Sequence, residues 1–327
     1  MASAATAPRT DRAGTLDTII RRPIVGPLAA LLIACAVFTL ITDNFLAIGN
    51  LSLILQQCIV VGMLAVGQTL VVLTAGIDLS VGAIAVLGTI VLAKLAGHGA
   101  PLALLLTLVL CAALGGLNGT LVTVLRLPPF IVTLGSFTVL AAVTQLYAGS
   151  STYPVQSQLL TATGTSVHLG GVSLTYGILL MLALYATAWY ALTQTAWGKH
   201  VYAVGDNVEA ARLTGIKVSR NLLSVYIATG IVCGLAAWAA LGRIPNADPN
   251  AYQNANLESI TAVVIGGTSL FGGRGGVGGT LLGTLIVGVL RNGLTLAGID
   301  NLYQNVATGI LVILAVAVDQ FARRRNK

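Results

Sequence analysis

LALLLTLVLCAALGGLNGTLVTVL, residues 102–125, runs from Leu102 to Leu125 without one charged side chain. As an α-helix it would extend about 36 Å, more than the roughly 30 Å hydrocarbon core of a bilayer. Lipid offers no hydrogen bonds, so a segment of this kind satisfies its backbone internally as a helix. Membrane β-strands would be shorter, about ten residues, and would alternate polar with apolar, which this stretch does not.

Nine more runs share the pattern, at roughly 24–42, 52–75, 80–97, 130–148, 172–193, 221–241, 258–272, 277–297 and 302–319. The expected fold is therefore an all-α integral membrane protein with about ten transmembrane helices. Hydrophobic residues make up 56% of the 327-residue chain and charged residues 8%. That is too little charge to clothe a soluble domain. The expected organisation is a short N-terminal tail (1–23, its first part disordered), one membrane domain (24–319) and a basic tail (320–327). The first apolar run, preceded by Arg9, Arg12, Arg21 and Arg22, reads as a retained signal-anchor helix.

Lys and Arg decide the orientation. With the N-terminus inside, cytoplasmic segments hold 14 of the 17 basic residues. These are the four N-terminal arginines, Arg126, Lys199, Arg212, Lys217, Arg220, Arg274, Arg323, Arg324, Arg325 and Lys327. External loops hold only Lys94 and Arg243, and Arg291 lies within a span. Both termini are expected in the cytoplasm, with a long external loop at 149–171 and a long cytoplasmic loop at 194–220.

The remaining motifs exclude more than they assign. Cys35, Cys58, Cys111 and Cys233 lie in apolar runs without a CxxC, so neither a disulfide framework nor a zinc site is expected. Gly273–Gly278 matches G-x-G-x-x-G, but it sits in a short turn between spans and not in a βαβ unit. No P-loop sequence occurs, so any ATP must be handled by a partner, and no nucleic-acid patch is visible. His98, His168 and His200 fall in loops or at span ends, with no HExxH. Catalysis therefore has no support. Glycines spaced by three or four, such as Gly115, Gly116 and Gly119, suit close helix packing. Pro128-Pro129 reads either as a helix start or as the mark of a short half-helix beside a pathway.

Polar groups within the spans are the candidate pathway: Gln57, Gln68, Asp78, Ser80, Asn118, Thr133, Thr268, Ser269, Asn292 and Asn305. Taken singly, each reads more readily as a hydrogen bond joining helices than as a solute contact. As a set, with few charges among them, they favour a neutral polar solute over an ion or proton relay. Asp78, in TAGIDLSVG at 74–82, is either a functional charge or the cap of the next helix. Glu258 suits a first helical turn. Arg291 must meet an acid, a pathway or the interface.

Four blocks carry a resemblance: TAGIDLSVG at 74–82, FIVTLG at 130–135, YAVGDN at 202–207 leading into AARLTGI at 210–216, and AVVIGGTSL at 262–270. Together they make the chain similar, from about residue 40 to 320, to the permease subunits of bacterial ABC importers for monosaccharides, of the ribose, xylose, arabinose, galactose and fructose type. The resemblance implies a cobalamin-importer-like fold in the inner membrane, no cofactor in this chain, and a second permease copy, identical or paralogous. It also implies a cytoplasmic ATPase that binds ATP and Mg, and a periplasmic sugar-binding protein. Within 194–220, Val208–Leu213 is a short helix-former between Asp206-Asn207 and Gly215. It is the expected coupling helix, with Gly205, Asp206, Asn207, Glu209, Ala210, Ala211, Arg212 and Gly215 as its residues. Glu209 and Arg212 are expected to touch the partner, with Ala210 and Ala211 allowing close approach. A secondary transporter or a channel would share the polar-lined bundle, but ion coupling calls for buried ionisable groups that are scarce here. The solute is not readable from this chain.

Overall fold

The computed structural model describes residues 24–169 and 172–325. The N-terminal tail, expected at 1–23, lies outside them, as do the last two residues of the basic tail. Apolar runs with few helix breakers become helices: α1 (Val25–Ile41), α2 (Ile48–Leu73), α3 (Val81–Leu95), α4 (Ala100–Thr123) and α5 (Pro129–Ala148). After a loop come α7 (Tyr176–Gln194), α8 (Ala196–Asp206), α9 (Val208–Leu213), α10 (Val218–Arg243), α11 (Ala255–Ile265), α12 (Val277–Leu296) and α13 (Asn301–Arg325). The loop between α5 and α7 holds β1 (Tyr153–Pro154), the single turn α6 (Gln158–Thr161), β2 (Ser166–Leu169) and β3 (Val172–Thr175). β2 pairs antiparallel with β3, and β1 pairs antiparallel with β4 (Asn246–Ala247), with Tyr153 opposite Ala247.

Seven of these helices are long and apolar enough to cross a membrane: α2, α3 with its 3₁₀ extension to His98, α4, α5, α7, α10 and α12. Three shorter apolar helices are α1, α11 and Leu302–Leu314 within α13. The sequence run 258–272 needs correction. Its helix is α11, which stops at Ile265, and residues 266–276 form a tight turn. Gly267, Gly272, Gly273 and Gly275 all take positive φ there, which ends the helix.

α2 is the hub, buried along most of its length. α10 lies against α2, α3 and α4. Its crossing with α4 is set by Gly115 and Gly230. A β-carbon on Gly115 would stand 2.3 Å from the Tyr226 carbonyl oxygen, and one on Gly230 2.2 Å from that of Cys111. The outer helices α4 and α5 expose Leu105, Val109, Leu134 and Leu146, as a lipid-facing surface requires. We call the end of the bundle that carries α8 and α9 the hairpin end, and the end with the two small sheets the sheet end.

Candidate functional site

At the hairpin end the chain folds back on itself. Thr195 caps α8 by accepting from the Gly198 amide at 3.2 Å. Asn207 caps α9 by accepting from the Ala210 amide at 3.0 Å. Gly215, at φ +85°, closes α9: its amide donates to the Arg212 carbonyl and the Ile216 amide to that of Ala211. Ala211 faces inward against Val204 and Val218, in the hairpin's own core. The outer face shows Glu209 and Arg212, ion-paired at 3.2 Å and largely exposed, with Ala210 beside them. Leu213, 89% exposed, stands at the tip as an apolar knob.

The hairpin is clamped to the bundle. The Tyr202 hydroxyl donates to the Gly275 carbonyl at 2.9 Å, and the Trp197 indole to Ser224 Oγ at 2.7 Å. Partial burial raises the Tyr202 phenol above its ordinary value, which keeps it protonated as a donor. The Gly273 amide donates to the Leu73 carbonyl at 3.0 Å. Gly205 packs on that same carbonyl so closely that a β-carbon would stand 1.8 Å from its oxygen. The end of α8, the end of α2 and the 266–276 turn thus meet backbone to backbone.

From that junction residues 74–80 leave helical geometry before α3 begins. Asp78 is buried in this break. Its Oδ1 accepts from the Ser80 amide (2.8 Å) and the Ser80 hydroxyl (2.6 Å). Asn118 on α4 donates to Ser80 Oγ at 2.9 Å and accepts from Ser136 on α5 at 2.5 Å. Thr133 on α5 donates to the Ile77 carbonyl at 3.0 Å. Gln68 on α2 bonds both backbone groups of Asp78, with its amide oriented so that the nitrogen donates to the carbonyl. The break is thereby tied to α2, α4 and α5. Among the described residues, Asp78 Oδ2 and the Tyr226 hydroxyl are buried without a hydrogen-bond partner.

Above the break a cavity of about 510 Å³ opens between α3, α5 and residues 249–254. Gly82 and Ala83 form part of its wall, directly after the break.

Residues 50–316 match the family described as "Branched-chain amino acid transport system / permease component". The chain belongs to this permease family. The fructose import permease protein of Rhizobium meliloti is 45% identical over 311 residues, covering 92% of this chain and 86% of that protein. The ribose import permease protein of Escherichia coli K12 is 39% identical, covering 89% and 92%. The D-allose transport system permease protein of the same strain is 35% identical, covering 90% and 91%. No solved structure matches. The protein is a multi-pass membrane transporter subunit and not an enzyme.

In this permease the ten polar residues singled out from sequence divide. Gln68, Asp78, Ser80, Asn118 and Thr133 converge on the break. Thr268 and Ser269 lie in the hairpin-end turn, where Thr268 Oγ1 accepts from the Gly276 amide at 3.1 Å. Asn292 exchanges two 3.0 Å bonds with Asn50, joining α12 to α2. Asn305 accepts from Asn254 at 3.2 Å. Gln57 sits on α2 with its carbonyl oxygen buried and unpartnered among the described residues. Arg291 meets an acid: its guanidinium lies 2.5 Å from buried Glu258. Sequence reading passed over Leu213, Asn250, Gln253 and Asn254. The amide-rich string that holds the last three is DPNAYQNAN at 248–256, which its place between two apolar runs presents as an ordinary loop.

Proposed function

We propose that this chain is the membrane-spanning permease subunit of an ATP-binding-cassette importer that admits a monosaccharide, a pentose or a hexose, through the bacterial inner membrane. The observation that carries this reading is near full-length similarity to permeases named for three different monosaccharides. In this reading the seven long helices and three shorter ones make ten spans per subunit, in a cobalamin-importer-like arrangement, and two subunits pair. The hairpin end is cytoplasmic, because Arg126, Lys199, Arg212, Lys217, Arg220 and Arg274 gather there.

A separate ATPase receives α9 in a surface groove, with Glu209, Ala210, Arg212 and Leu213 as the contact face. Gly205, Asp206, Asn207 and Gly215 shape the turns that present it. ATP-driven motion then reaches the end of α2 and the 74–80 break through the backbone junction at Gly205. Gln68, Asp78, Ser80, Asn118 and Thr133 hold that break in one shape beside the pathway. A periplasmic binding protein delivers the sugar at the sheet end.

The test is uptake into proteoliposomes holding the permease, its ATPase and its binding protein. ATP-dependent accumulation of labelled D-fructose or D-ribose is expected. Accumulation of L-leucine instead would assign the solute that the family description names, and uptake without the ATPase would sink the importer reading. Replacement of Gly205, Glu209 and Arg212 together with transport and ATPase association intact would sink the coupling role of the hairpin.

A further inference from the structure

Two non-helical segments lie at about the same depth in the bundle. Residues 74–80 precede α3, and residues 248–254 precede α11. α11 has 11 residues, about 16 Å of helix, and its far end enters the hairpin-end turn. Its start therefore lies roughly half-way through a hydrocarbon layer of about 30 Å. The two segments touch there: Asn256 donates to the Leu79 carbonyl at 3.3 Å. Non-helical backbone at membrane depth persists only inside protein or beside water. Broken helices at mid-depth are where transporters of other designs build their solute sites.

The segment 248–254 is a built turn. The Asn250 amide donates to Asp248 Oδ1 at 2.8 Å and the Ala251 amide to the Asp248 carbonyl at 3.0 Å. Tyr252 takes φ +54°, a conformation that costs an aromatic residue energy and persists only where its surroundings hold it. The turn aims Asn250, Gln253 and Asn254 at the 510 Å³ cavity, and Gln145 on α5 reaches Asn250 across it at 2.7 Å. Phe137 and Tyr252 supply aromatic wall. No Asp, Glu, Lys or Arg lines it.

We infer that this cavity is the solute site of the permease, and that its four carboxamides select a neutral polyhydroxylated molecule over a zwitterion. Each carboxamide offers two donors and an acceptor oxygen, the complement of a hydroxyl that both donates and accepts. An amino acid would bring an ammonium and a carboxylate into a space with no opposite charge to meet them, at a desolvation cost the amides only partly offset. The size lies within the usual range for small-molecule sites. Since Gly82 and Ala83, directly after the break, form part of its wall, movement of the hairpin end reaches the cavity through the break.

This inference rests on the importer reading, and the experiment separates the two. Wild-type permease in proteoliposomes with its ATPase and binding protein is first assayed with labelled D-fructose, D-ribose and L-leucine. Sugar uptake is expected. Uptake of leucine alone, or none of the three, overturns the importer-of-sugars reading and this site with it. Asn250→Leu and Gln253→Leu are then compared at equal amounts of assembled transporter. A loss of at least tenfold in sugar uptake is expected, and uptake within twofold of wild type overturns the site alone. Should either variant fail to assemble with the ATPase, Gln253→Cys decides. A charged, membrane-impermeant thiol reagent should modify it within tenfold of the rate at loop position Ser150→Cys. Absence of modification means that the cavity is not water-filled, and overturns the site.

Discussion

A β-carbon on Gly205 would meet the Leu73 carbonyl at 1.8 Å and the Gly273 amide nitrogen at 2.7 Å, and both obstacles are backbone. No flexible side chain can move aside. Gly205→Ala is therefore expected to cost about 1–3 kcal/mol, the range for overpacking a tight site. A lower thermal midpoint of the purified permease would report it. Gly135→Ala is the control, since nothing stands within 4 Å of a β-carbon there, and its midpoint should hold or rise. Asp78 makes a second test at the same scale. Its Oδ1 satisfies two donors of Ser80 in a buried place. Asp78→Ala strands both and should cost about 1–3 kcal/mol, whereas Asp78→Asn keeps the acceptor oxygen and should cost less. Equal losses in the two variants would mean that the charge, and not the acceptor geometry, matters at this position.

The hairpin element separates stability from contact. Asn207→Ala removes the cap of α9 and should cost about 1 kcal/mol, seen in thermal unfolding of the permease alone. Leu213 is 89% exposed and supports nothing within the chain. Leu213→Asp should leave unfolding unchanged while weakening ATPase association at least tenfold, measured by co-purification at graded ATPase concentration; unchanged association would remove Leu213 from the contact face. The short helix was legible because Asn207 and Gly215 bracket it with strong cap chemistry. α8 was not, because AWGKHVYAVGD mixes polar and apolar residues in a pattern a loop also shows. The long helices were legible from apolar length alone, within a few residues at most ends. α11 was not, because the span expected from sequence runs on through Gly266, Gly267, Thr268 and Ser269 to Leu270 and Phe271, whereas the helix stops at Ile265 and Gly267 takes positive φ. Gln68, Asp78, Asn118 and Thr133 were visible as polar residues in apolar text, but no spacing rule could say that they meet. The contacts join residues far apart in the chain, 56 positions in the case of Thr133 and Ile77.

Across the whole molecule, the two ends carry different charge and different fine structure. The hairpin end holds Arg126, Lys199, Arg212, Lys217, Arg220 and Arg274, while the sheet end holds Lys94 and Arg243. Lys94 is occupied there, donating to the Tyr147 carbonyl and lying over the Tyr147 and Tyr153 rings. Arg243 and the Arg291–Glu258 pair stay with the protein and not with a lipid surface. In the reading proposed above, the six basic groups at the hairpin end set the orientation and that end faces the cytoplasm. Cysteine labelling in sealed vesicles tests this directly. Three native cysteines, Cys58, Cys111 and Cys233, are buried, so background modification by an impermeant reagent should be low. Leu213→Cys should react in inside-out vesicles and stay protected in right-side-out ones, and Ser150→Cys should do the reverse. The inverted pattern would turn the molecule over. It would also detach α9 from any cytoplasmic ATPase, because the hairpin is fixed to the bundle through Gly205, Tyr202 and Trp197 and cannot reach the other face.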